Sequence, residues 1–112
     1  MPFESKDNLQ DHVGQTVTAK EFYFINSAGG TGGSNWQWDD KYSGAPAELI
    51  INRIWFDYET GVRMVANPAP DQPELIAYLD RNAFKGKRAD NLGDGLVPGD
   101  THEIFVSEFD LL

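Results

Sequence analysis

The chain has 112 residues, no cysteine, and 18 acidic against nine basic residues, for a net charge of −9. A domain of this length buries roughly two thirds of the surface its unfolded chain exposes, so residues 1–112 are read as one domain able to hold a core without metals or disulfides. The absence of cysteine excludes disulfides, thiolate chemistry and cysteine–zinc sites. The acidity opposes direct binding to nucleic acid or anionic lipid, since both need a basic face.

The N-terminal stretch is too polar for a signal peptide, and no apolar run approaches membrane-spanning length. A cytoplasmic protein is expected. Residues 3–12 are weakly patterned and read as a short helix or a frayed arm. Val13 to Asn26 reads as a strand, polar on one face at Thr16, Thr18 and Lys20 and apolar on both faces from Phe22 to Ile25. Gly14 marks the bend into it.

Asn26 to Pro46 then reads as one long loop. Connections of this length inside a small domain are uncommon and are usually functional or disordered. Its glycines match neither G-x-G-x-x-G, which from Gly30 needs a glycine at Asn35, nor a P-loop. They read as hinges of a hairpin tip. Trp36 and Trp38 are two apart, so in an extended chain they share a face. Such a pair, with Tyr42 nearby, offers flat apolar surface for stacking on a partner, and Asp39 and Asp40 beside it suit a basic partner or hydroxyl groups. The competing reading has the tryptophans folded back over one end of the core.

Glu48 to Tyr58, rich in β-branched and aromatic residues, is the second strong strand. Glu59-Thr60-Gly61 is a hairpin turn, with Gly61 able to take positive φ, and Val62 to Ala66 is the returning strand. Asn67 to Pro73 carries three prolines and reads as a loop. A helix over about 73–85 follows. Asp71 is its expected N-cap with Glu74 as capping-box partner, Pro73 sits in its first turn, Leu75, Ile76, Leu79 and Ala83 share a face, and Gly86 ends it. Lys85, Lys87 and Arg88 complement the helix dipole there. Residues 86–100 read as a second turn-rich connection, and Thr101 to Leu111 as a final strand.

The order β, β-hairpin, α, β predicts an α+β, β-rich domain: a small, mostly antiparallel sheet or a partly open barrel with one helix. No catalytic or cofactor motif is present. Asp90 to Gly95 lacks the ligand pattern of a calcium loop. His12 and His102 have no metal-ligand spacing and read as surface or boundary residues, and Ser34 lacks the setting of a nucleophile elbow. No metal and no cofactor are expected. The expected function is therefore a non-catalytic, acidic protein-binding module of the inhibitor or immunity type. Its aromatic and acidic loop (Trp36, Trp38, Asp39, Asp40 and Tyr42) would engage a basic partner surface. The alternatives are a sugar- or nucleotide-binding protein that stacks its ligand on the same loop, an enzyme using carboxylates or His102 in a cleft, and a structural subunit of a larger assembly.

Overall fold

A computed structural model describes residues 6–25, 40–88 and 96–112. A 3₁₀ turn at Lys6–His12 leads into β1 (Thr16–Phe24), β2 (Asp40–Asp57) and β3 (Gly61–Pro68). Helix α1 (Pro73–Asn82), β4 (Lys85–Arg88), β5 (Leu96–His102), β6 (Ile104–Ser107) and a 3₁₀ turn at Glu108–Asp110 follow. Among the described residues, four antiparallel strands close in the ring β1–β2–β3–β6, and β4 with β5 makes a separate two-stranded ribbon. Closure is narrow: β6 meets β3 over Arg63 to Ala66 but meets β1 only at Tyr23↔Phe105 and Phe24↔Ile104. The fold is thus the expected β-rich α+β arrangement, a mostly antiparallel sheet with one helix, its four strands closed only through this narrow seam. No described helix is long and apolar enough to cross a membrane.

The core follows the two-residue period of the strands. Ala19, Phe22 and Phe24 of β1, Leu49, Ile51 and Ile54 of β2, Val62, Met64 and Ala66 of β3, and Ile104 and Val106 of β6 are buried inside the ring. On β2 the alternation breaks at Asn52. Ile51 pairs with Ala66 and Arg53 with Val65, so Asn52 is one extra residue on that strand. This bulge shifts the phase, and Ile54 enters the core where Arg53 otherwise would. It accounts for the run L-I-I-N-R-I, which no unbroken alternation explains. A second irregularity sets Gly44, Ala45 and Pro46 of β2 against Lys20 alone, between the pairs Ala19↔Ala47 and Glu21↔Ser43. Proline, with no N–H to donate, is tolerated where ladder pairing lapses.

Both expected glycine turns are present: Gly14 has φ +92° and Gly61 has φ +88°. At the β2–β3 tip the Asp57 carboxylate accepts hydrogen bonds from the backbone N–H groups of Glu59 and Thr60, an Asx turn that fixes the hairpin.

Several boundaries differ from expectation. Residues 40–46 are strand rather than loop, because Asp40 to Ser43 pair with Phe24 to Glu21. Residues 86–100 are not simply a connection, since β4 takes up residues 86–88 of them and β5 residues 96–100. Asn67 and Pro68 extend β3. The last strand breaks at Glu103 and ends in a 3₁₀ turn, after which Leu111 bridges Ala19 and the Leu112 N–H donates to the Thr18 carbonyl.

Helix α1 buries Leu75 and Leu79, one turn apart, against the end of the ring. Its start is not the expected capping box. Gln72 is the N-cap residue and makes no side-chain cap bond. Its amide instead accepts from the Glu48 N–H and donates to the Glu48 and Ala69 carbonyls, each at 2.8 Å. The helix stops at Asn82, not Gly86. Ala83 is extended, and the Phe84 N–H donates to the Ile25 carbonyl at 2.8 Å, drawing the chain onto the end of β1.

Candidate functional site

Of the loop residues singled out in the sequence, Trp36, Trp38 and Asp39 lie outside the described residues, as do the glycines at 29–33 and the segment Asp90 to Gly95. Asp40 and Tyr42 lie on β2, two residues apart and so on one face. Tyr42 is half-buried. Its ring stacks on Phe22 at 4.7 Å between centroids, meets Tyr78 of α1 at 5.4 Å, and donates its hydroxyl to the Ala45 carbonyl at 3.2 Å. Tyr42 is therefore a wall of the core, held by aromatic contacts that favour offset and edge geometries. Gly44 lies beneath the ring, where a Cβ would come within 3.1 Å of the Tyr42 hydroxyl. Lys41, on the opposite face, pairs with Glu21 at 3.0 Å.

A cleft of about 220 Å³ opens where α1, the end of β3 and the β4–β5 ribbon meet. Pro68, Pro70 and Ile76 supply an apolar wall, and Asp80, Asp100 and Thr101 supply polar groups. His102 also lines the cleft. It is 4% exposed, so the expectation of a surface or boundary residue is corrected. Its Nε2 lies 2.9 Å from Asp80 Oδ1 and its Nδ1 lies 3.4 Å from the Phe84 carbonyl. The His102 carbonyl in turn accepts from Asn67 Nδ2 at 2.8 Å. Lys85 Nζ stands 3.5 Å from the same Asp80 oxygen. The hydrogen bond from His102, followed by the charge of Lys85, holds the Asp80 carboxyl below its ordinary pKa, against an opposing effect of desolvation.

The arrangement is not a hydrolase relay. A Ser–His–Asp system needs the second imidazole nitrogen to face a nucleophilic hydroxyl, and here it faces a backbone carbonyl. Among the described residues no three His, Asp or Glu side chains converge in a way that could hold a metal ion. What the cleft offers is two carboxylates and one ammonium beside an apolar wall. Sequence reasoning missed Asp80, Lys85, Asp100 and His102 as a group. They come from three separated elements with no shared spacing, and only the placement of Lys85 at the helix C-terminus was visible. Compared with family models, curated proteins and solved structures, the chain matches none of them.

Proposed function

We propose that the chain is a non-catalytic, acidic binding domain that engages a basic protein surface, in the manner of an inhibitor or immunity-type protein. The observation that carries this reading is the sign of the exposed charge. Among the described residues, Asp11, Glu48, Glu59, Asp71, Glu74, Asp80 and Asp100 are exposed, against Lys20, Lys41, Arg81 and Lys85. Two of those four bases, Lys41 and Lys85, are already paired with acids of the same chain. The field presented to a partner is negative, which speeds encounter with a basic surface and selects against acidic ones. Trp36 and Trp38 would supply the aromatic anchors typical of binding hot spots, with Asp39 and Asp40 beside them in sequence as the acidic partners and Tyr42 as the core residue on which the segment is seated.

The test is capture of partners on the immobilised full chain, with identification and measured affinity. The expected partner is basic, its affinity falls steeply as salt is raised, and Trp36→Ala with Trp38→Ala weakens it about 30-fold or more, the scale of hot-spot truncation. A complex insensitive to salt and to both substitutions would overturn the reading. Saturable quenching of tryptophan fluorescence by a sugar or nucleotide, with no protein partner, would replace it with small-ligand binding. The cleft volume speaks against a large ligand there, since pockets for drug-sized molecules run to roughly 300–1,000 Å³.

A further inference from the structure

We infer that the cleft beside His102 is the seat of a single cationic side chain, Arg or Lys, presented by a basic protein; this rests on the reading of the chain as an acidic binding domain. The cleft is the size of a side chain rather than a cofactor, at about 220 Å³. Pro68 and Ile76 give an apolar wall along which the methylene stem of Arg or Lys can lie while its charged head stays at the polar rim. That rim carries the carboxylates of Asp80, from α1, and Asp100, from β5, against the one ammonium of Lys85, an excess of one acid. The chain already demonstrates the chemistry on itself: Lys85 places its ammonium 3.5 Å from Asp80. Both His102 and Lys85 use Oδ1 of Asp80, which keeps Oδ2 as an acceptor for a guest. His102, buried and tied to α1 through Asp80 and to β3 through Asn67, fixes the acid in place before any guest arrives. A preorganised acceptor of this kind loses less ordering entropy on binding. Anionic guests meet the wrong sign at the rim, and a neutral guest forfeits the charge-assisted hydrogen bonds that make carboxylate–guanidinium pairs strong.

The experiment is a titration of the ¹⁵N-labelled full chain with the blocked tripeptide Ac-Gly-Arg-Gly-NH₂, its lysine counterpart, and a control in which neutral citrulline replaces arginine. The arginine or lysine peptide is expected to shift the amides of Ile76, Asp80, Thr101 and His102 saturably, and the citrulline peptide to bind at least about fivefold more weakly. Asp100→Asn should weaken the cationic peptide about threefold, within the range of one exposed ion pair. Lys85→Met should strengthen it by a similar factor, because it removes a competing cation from the same carboxylate. Thr101→Arg should abolish binding by filling the cleft from within. Equal binding of arginine and citrulline peptides, or shifts that avoid the cleft, would overturn the proposal. An oligolysine probe separates the two levels. If it binds the wild type, Asp100→Asn and Thr101→Arg alike, the cleft assignment falls and the acidic domain stands. If it fails to bind the wild type at low salt, both fall.

Discussion

Two aspartates illustrate how opposite environments set opposite pH behaviour. Asp80 has its pKa lowered by the His102 hydrogen bond and by Lys85. A carboxyl depressed in the folded state stabilises the fold above its unfolded pKa, near 3.9, and loses that contribution as pH falls through the folded value. Asp80→Asn is therefore expected to lower Tm at neutral pH and to melt with the wild type in strong acid, as read by thermal denaturation across pH. Asp110 behaves in the reverse sense. It is buried, and its Oδ2 has no hydrogen-bond partner among the described residues. Desolvation raises its pKa, with repulsion from Glu21 adding to the effect, while the Ser107 backbone N–H, Lys41 and Arg63 oppose it. Its charged form costs stability once pH exceeds the unfolded value, and protonation relieves the cost. Asp110→Asn should raise Tm at pH 7 by a few degrees, a gain of roughly 1 kcal/mol. The gap should close below about pH 4. A Tm below that of the wild type at pH 7 would show that the carboxylate is satisfied in solution.

At the level of elements, the bulge at Asn52 decides which half of β2 faces the core. Deleting Asn52 makes Ile51 and Arg53 consecutive opposite Ala66 and Val65, so the ladder becomes regular, Arg53 stays outward and Ile54 stays in the core. That deletion is expected to keep the cooperative thermal transition seen by circular dichroism, whereas deleting both Asn52 and Arg53 turns Ile54 outward and is expected to abolish it. Loss of the transition on deleting Asn52 alone would show that the bulge itself is required. The bulge also marks the limit of what the sequence discloses. The pairing of β2 with β3 and the amphipathic face of α1 were legible because they rest on local periodicity and turn chemistry, at Asp57, Gly61, Leu75 and Leu79. Strand at 40–46 was hidden because Gly44 and Pro46 are poor strand residues, and their segment is held by pairing with β1 rather than by propensity. The β4–β5 ribbon was hidden for the same reason, with Gly86 opposite Pro98. The Asp71 capping box failed because Gln72 had a better use one residue later, bridging to β2. His102 was misplaced because nothing local to β5 announces a partner on α1. Of the expected aromatic and acidic site, Tyr42 is visible mainly as a core residue.

Across the whole molecule, charge and topology act together. With a net charge of −9, self-repulsion opposes the compact state, and salt screens it. Raising ionic strength from low to physiological values should raise Tm while weakening the complex with a basic partner. The same ions thus move folding and binding in opposite directions, and calorimetry with binding isotherms in matched buffers checks both signs. A partner complex strengthened by salt would contradict the electrostatic account. The narrow seam between β1 and β6 carries a different consequence. Its two residue pairs join Tyr23 and Phe24 to Phe105 and Ile104, positions separated by most of the chain. Loop-closure entropy must be overcome before such distant contacts return any energy, so topologies dominated by them fold slowly, on the order of milliseconds to seconds. The β2–β3 hairpin, linked by a short turn, is free to form first. The ring can seal only when β6 arrives between β3 and β1. Until then Phe22, Phe24 and Met64 line an open trough, and the interval before the last strand docks is when this chain is most exposed to aggregation.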